Sequence, residues 1–308
     1  MSVALESRGL VRRFGANTAV DGLSFEVRPG ELYGLVGPDG AGKTTTLRML
    51  VGVLVADAGQ VLVMGRRGDT NAAEVREMVG YMPQQASLYG DLSIDENIRF
   101  FGRLFGLSKH EIAVRRDELL AITQLSRFGD RRADALSGGM YKKLALSCAL
   151  LHRPRVLLLD EPSNGVDPVS RRELWDLLYR FVEDGMAVLL TTPYMDEAAR
   201  CHRVGLIDRG RLLAEGAPDA LVKAFPHTIR IAHLGAHGRR DAEGRIADRP
   251  EVLSSSPHGA DLRLVIRHDG VGAFEDFARS LGWSLESARA DFEDVYLGLL
   301  ATRAGGAN

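Results

Sequence analysis

The chain predicts an α/β fold built on a largely parallel sheet, followed by a small α+β appendage, and three observations carry that expectation. Short apolar runs with strand character alternate with segments of helical spacing as far as residue 225. A glycine-rich turn lies directly between one such strand and one such helix. From Phe225-Pro226 onward the texture changes, with ten arginines, no lysine and twelve acidic residues to the C-terminus.

In chain order, Val3 to Phe14 and Ala19 to Val27 alternate like two strands, the second ended by the turn Arg28-Pro29-Gly30. Glu31 to Val36 is a short apolar strand entering the glycine-rich turn, and Lys43 to Val51 has helical spacing. Val61 to Met64 reads as a strand, and Ser93 to Leu107 as a helix with Ile94, Ile98, Phe101 and Phe105 on one side. Ser137 opens a helix running to Leu151. Val156 to Leu159 is a fully apolar strand, followed by a helix from Val169 to Val182 and a strand from Ala187 to Thr191. Residues 1–225 form the first expected domain and 226–308 the second. The second reads as strand (Thr228 to Ala232), loop or helix, strand (Val252 to Ser255), strand (Leu262 to Ile266), helix (Val271 to Leu281), strand (Ser284 to Ala288) and helix (Phe292 to Leu300). That order is ferredoxin-like. Arg303 to Asn308 is expected to be a frayed tail.

The 308 residues, 45% hydrophobic and 26% charged, suffice for a sizeable core. A net charge of -2 lacks the basic footprint of a nucleic-acid binder. Cys148 and Cys201 lie far apart without metal-ligand spacing and are expected to be reduced thiols. No apolar run is long enough to span a bilayer, and Met1 to Glu6 lacks the basic start of a signal peptide, so a membrane role is expected to come through a partner.

The strongest chemical signal is Gly37-Pro38-Asp39-Gly40-Ala41-Gly42-Lys43-Thr44-Thr45, a G-x-x-x-x-G-K-[ST] turn. Its glycines let backbone N–H groups approach phosphates closely, and the following helix turns its positive end to the same anion. Lys43 adds a point charge for the outer phosphates, and the Thr44 hydroxyl is a magnesium ligand. Val156 to Leu159 ends in Asp160-Glu161, the acidic pair a magnesium-dependent phosphoryl transfer needs. Asp160 would hold Mg2+, directly or through water, and Glu161 would orient or deprotonate the attacking water. Taken alone, such a pair is as often merely solvated. Leu136-Ser137-Gly138-Gly139-Met140 starts a helix with a serine N-cap, a second anion site in one chain. A single cradle would serve one nucleotide, so the second implies that nucleotide is gripped from two sides.

The order Phe14, Gly37 to Thr45, Gln84, Leu136 to Met140, Asp160-Glu161 and Asp167 resembles the ATP-binding cassette of ABC transporters over Val3 to Lys223. The resemblance implies a P-loop NTPase with flanking helices and a helical subdomain. It implies head-to-tail pairing, with ATP held between the Walker A turn of one cassette and Ser137, Gly138 and Gly139 of another. Phe14 would stack on adenine, or else be a core aromatic. Gln84, preferred over Gln85, would sense Mg2+ and the nucleophilic water, and the surface from Leu88 to Asn97 would meet a membrane permease that handles a small-molecule cargo. Asp167, in Ser163-Asn164-Gly165-Val166-Asp167, would couple the paired sites. The segment Asp291 to Leu297, Met140 and the run Val166 to Glu173 are similar to drug- and antibiotic-export ATPases serving ABC-2 type permeases. The implied location is cytoplasmic, on the inner membrane face.

One position departs from the family. Its switch histidine follows the strand after Walker B, and here the segment reads Thr191-Thr192-Pro193-Tyr194-Met195-Asp196-Glu197-Ala198. Proline has neither a side-chain donor nor an N–H to offer a γ-phosphate. Tyr194 points elsewhere, and His202 is too distant. The expectation is normal ATP binding with poor hydrolysis at this chain's own site, in an asymmetric pair whose second cassette, a copy or a different protein, is complete. Asp39, where the family often has Asn, is expected to face solvent. A regulatory ATP-binding module with little turnover is the competing reading, favoured by Pro193. A soluble ATPase of translation or DNA repair is opposed by the near-neutral charge and the absence of a second cassette or a long coiled coil.

Overall fold

The computed structural model describes residues 3–68, 70, 72–85, 88–235 and 238–305, and its contacts divide the chain between Glu215 and Gly216 into two units. In the first, β1 (Leu5–Phe14) and β2 (Asn17–Val27) form an antiparallel hairpin. β3 (Leu32–Val36) is buried at every position, as a uniformly apolar strand covered on both faces must be. It leads through the glycine-rich turn into α1 (Lys43–Leu50). β4 (Ala58–Val63) starts three residues earlier than the apolar pattern indicates, because its pairing with β1 recruits Ala58-Gly59-Gln60. Met64 and Gly65, both at positive φ, turn the chain into the short β5 (Arg66–Arg67).

α2 (Ala72–Met78) feeds β6 (Val79–Met82) directly. Three further helices follow: α3 (Ile94–Leu104), α4 (Lys109–Ile122) and α5 (Gly138–Ala149). Capping boxes start α3 at Ser93 with Glu96, and α4 at Ser108 with Glu111; each cap contributes about 1 kcal/mol. β7 (Val156–Asp160), α6 (Pro168–Glu183), β8 (Ala187–Thr192), the short α7 (Met195–Ala198), β9 (Arg203–Asp208) and β10 (Arg211–Gly216) complete the unit.

The first unit thus holds an antiparallel sheet ordered β2-β1-β4-β5 and a second sheet ordered β10-β9-β3-β8-β7-β6. In the latter β9, β3, β8, β7 and β6 are mutually parallel neighbours. Val36 pairs with Thr192 and Asp160 with Thr191, so the carboxyl ends of β3, β7 and β8 lie side by side. The loops that follow β3, β7 and β8 therefore emerge at one edge, where open α/β sheets place their ligands. Among the described residues no helix is long and apolar enough to cross a membrane.

The second unit contains α8 (Pro218–Lys223), β11 (Thr228–His233), α9 (Arg239–Ile246), β12 (Val252–His258), β13 (Asp261–Ile266), α10 (Val271–Ser280), β14 (Ser284–Ala288) and α11 (Phe292–Gly305). Its antiparallel sheet, ordered β12-β13-β11-β14, packs on a core that includes Ile246, Leu264, Phe274 and Trp283. The boundary lies ten residues before the expected 225, because α8 packs with α11 of the second unit. α11 continues to Gly305, so the expected tail is helical over its first half, while residues 306–308 lie outside the described residues, as do Met1 and Ser2. The Asp291 to Leu297 segment starts this helix. Asp291 and Asp294 exchange backbone-to-carboxylate bonds, and buried Asp294 accepts from Arg263 at 2.6 Å.

Candidate functional site

The turn from Gly37 to Gly42 is compact, and two of its features follow from residue type. Gly42 stands at φ 103°, and a Cβ there would come within 2.3 Å of the Ala19 carbonyl oxygen, so only glycine fits. Lys43, at the start of α1 and buried, donates from Nζ to the carbonyls of Gly37 (2.8 Å) and Pro38 (3.1 Å). Its ammonium also lies 3.6 Å from Glu161 and 3.8 Å from Asp39. Asp39 is 95% exposed, so this second contact is screened by water. Pro38 and Gly40 are exposed, Ala41 is buried, and Thr44 and Thr45 are half-buried.

Asp160 and Glu161 are brought to this turn by β7. Asp160 is buried and accepts on Oδ1 from the hydroxyls of Thr44 (3.0 Å) and Thr191 (2.7 Å). Its other oxygen, Oδ2, is buried without a hydrogen-bond partner among the described residues. A buried carboxylate oxygen left unpaired is costly, and a hard cation offsets that cost. With Thr44 beside it, the donor set fits Mg2+, and Gln84 stands at the same rim. Glu161 adopts a left-handed backbone at φ 47°, a strained conformation for a side-chain-bearing residue. It is held by its N–H donating to the Thr191 hydroxyl at 3.0 Å. Its carboxylate accepts from Gln84 Nε2 (2.7 Å) and Asn164 Nδ2 (3.3 Å). Gln85 is exposed and makes no such bond among the described residues.

The other sequence candidates lie outside this cluster. Ser137 is exposed and caps α5 by accepting from the Met140 N–H at 3.3 Å. Gly139 packs so closely under α6 that a Cβ would meet Ser170 at 2.3 Å, while Gly138 faces the Gly165 carbonyl. Asp167 is the N-cap of α6, accepting from the N–H groups of Val169 and Ser170 at 3.0 Å each. That bonding holds its carboxylate below the usual range. Phe14 is 48% exposed, with the Arg12 guanidinium over its ring, and so is no core aromatic.

Pro193 follows β8, and the surrounding loop is held without it. The Thr192 hydroxyl accepts from the Tyr194 N–H at 3.0 Å and donates to Glu197 at 2.7 Å. Tyr194 is exposed beneath Arg171, and His202 Nδ1 accepts from the Leu32 N–H, at the opposite end of β3 from the glycine turn. Neither reaches the phosphate cradle.

Sequence reasoning missed three residues here. Thr191 ties Asp160 to the turn at Glu161. Buried Glu197 joins Thr192 to Ser163, bridging the two loops. Lys142 on α5 donates to the Gln84 carbonyl, and burial pushes its ammonium pKa down against the opposing pull of Asp160 and Glu161. Lys142 was visible as one of only five lysines, whereas Glu197, beside Asp196 in α7, carries no such signal.

The surface beyond Gln84 carries the aromatic cluster Tyr89, Phe100 and Phe101, with Leu104 68% exposed nearby. Asn97, expected on that surface, is fully buried instead. It accepts from the Tyr89 N–H and donates to the carbonyls of Tyr89, Leu92 and Ser93, which shapes the loop. Cys148 and Cys201 are both buried free thiols; burial pushes Cys201 up to about 12.

The family described as ABC transporter matches residues 20–164. The Nod factor export ATP-binding protein I of Paraburkholderia xenovorans is 44% identical over 220 residues, 71% of this chain and 72% of that protein. The probable multidrug ABC transporter ATP-binding protein YbhF of Escherichia coli is 42% identical over 220 residues, 70% of this chain; the chain spans only 38% of that relative's length. A solved ATP-binding subunit of an ABC transporter, 29% identical, superimposes with a TM-score of 0.66 over 72% of this chain and 93% of its own.

Proposed function

The chain belongs to the ABC transporter family of ATP-binding proteins, and on that premise we propose that it binds and hydrolyses ATP to energise an ABC-2 type exporter. The supporting observation is the junction of Lys43, Asp160, Glu161 and Gln84 at one sheet edge. The curated relatives are named for multidrug and Nod factor export, which favours an exporter of small molecules over an importer.

In this reading Gly37, Pro38, Asp39, Gly40, Ala41 and Gly42 surround the phosphates, and Lys43 exchanges its contact with Glu161 for the outer phosphates. Thr45 neighbours them, and Phe14 offers its exposed ring to the adenine. Thr44, Asp160 and Gln84 would hold Mg2+, which neutralises charge on the phosphates when bound. The Glu161 carboxylate accepts a proton from water as that water attacks the γ-phosphorus; the bond to the β–γ bridging oxygen breaks, leaving ADP and phosphate. Ser137, Gly138 and Gly139 grip the nucleotide of a second cassette, with Asp167 beside that interface.

The permease docks on the Tyr89–Phe100–Phe101 cluster, beside a groove of about 630 Å³ that includes Arg99, Arg103 and Leu104. This docking holds the subunit on the cytoplasmic face of the membrane. Affinity purification of the tagged chain from membranes is expected to recover a polytopic protein; recovery of none at equal yield of the chain refutes the exporter role.

Pro193 supports a weak own-site turnover, completed in an asymmetric pair by a cassette that carries the histidine. Pro193→His is expected to raise turnover of the purified chain about tenfold or more, the scale of one positioned side chain in proton transfer or charge stabilisation. An unchanged rate would show that Glu161 suffices alone. No measurable rate in either form, with ATP still bound, favours the regulatory reading.

A further inference from the structure

We propose that Lys142 is a positioning residue that makes the serine-capped helix α5 respond to nucleotide in this chain's own glycine cradle. The inference rests on Lys43 and Glu161 belonging to a nucleotide site. Lys142 Nζ donates to the Gln84 carbonyl at 2.9 Å. The Gln84 side chain donates to Glu161 at 2.7 Å, and the second Glu161 oxygen faces Lys43 at 3.6 Å. Gln84 is therefore gripped at both ends, its carbonyl by α5 and its amide by the carboxylate that meets the cradle.

Two features mark this bond, although Gln84 itself is exposed. Lys142 is partly buried, and among the described residues no carboxylate lies within salt-bridge distance of its ammonium; a carbonyl takes the bond instead. Desolvating an ammonium for one carbonyl is unfavourable unless the geometry is held. Pro83 to Gln85 also lie outside any helix or strand, so side-chain bonds rather than a ladder fix that segment. A phosphate that draws Lys43 from Glu161 changes the pull on Gln84, and Lys142 transmits the change to α5. Ser137, Gly138 and Gly139 sit at the head of that helix. The cradle at one site would thereby adjust the helix that serves the other, through contiguous hydrogen bonds.

Amide hydrogen exchange of the whole chain, with and without ATP and Mg2+, tests this. In the wild type, ATP slows exchange at residues 140–143 as well as at 37–45. In Lys142→Met, which keeps the apolar stem and the helix propensity, ATP affinity and the response at 37–45 stay within about twofold, and the melting temperature is retained. The ATP response at 140–143 falls about tenfold, the scale of one hydrogen bond from a charged donor. Lys142→Arg restores it, and Lys142→Gln replaces the methionine variant if that one misfolds. A Lys142→Met chain that responds like the wild type, or a wild type that binds ATP with no change at 140–143, overturns the proposal. A wild type that binds no ATP removes the nucleotide reading, and this inference with it.

Discussion

Replacing Lys43 with alanine is expected to lower ATP affinity about 100-fold or more, the scale seen when one partner of a desolvated charge pair is truncated. The ammonium is buried and fixed by the Gly37 and Pro38 carbonyls, so little side-chain freedom remains to be lost when a phosphate arrives. No other lysine or arginine forms an ion pair with Glu161 among the described residues, and Arg48, on α1, is exposed. Stability should change far less. Pro38 is exposed and its carbonyl can turn to water, while Glu161 keeps its bonds from Gln84 and Asn164. Fluorescence titration with a labelled ATP, alongside thermal melting, separates the two effects. Affinity within threefold of the wild type would mean that the glycine turn is not the phosphate cradle.

Glu161→Gln is expected to reduce ATP turnover about 100- to 10,000-fold, the usual contribution of a positioned general base. It should leave affinity unchanged or improved, because a negative charge leaves the neighbourhood of the phosphates. Glutamine is isosteric and can still accept from the Gln84 and Asn164 amides, so the turn at φ 47° survives. Its N–H bond to Thr191 does not involve the side chain at all. Turnover measured against enzyme concentration, with binding measured on the same sample, checks the split. Equal losses in affinity and rate would move Glu161 from chemistry to architecture, and a retained rate would remove it from the site.

The parts of this site that were legible in sequence are those where chemistry leaves few residue types. A lysine after a glycine that alone tolerates φ 103° is one, and an acidic pair closing a fully apolar strand is another. The serine cap of α5 was readable because a side-chain acceptor is required at a helix start. What escaped depends on which elements meet. α4 buries only Ile112, Leu119 and Leu120, too sparse a stripe to mark a helix, and its capping box was the better signal. β9 and β10 escaped too, because each is a six-residue run interrupted or bounded by charged residues, Arg203 and Asp208 in one and Arg211 and Glu215 in the other. Thr191 and Glu197 look like ordinary strand and helix residues until the topology sets β8 beside β7. Asn97 looked like a surface amide, and only the folded loop reveals four backbone partners for it.

The bridge through Thr192 bears on how this chain came to hold a proline at position 193. Tyr194 donates its N–H across that position to the Thr192 hydroxyl, which donates in turn to Glu197. Among the described residues no hydrogen bond of this loop uses the side chain at position 193, so the loop's geometry does not call for histidine there. The residue at 193 is thereby free to be set by chemistry at the nucleotide and not by the architecture of the loop.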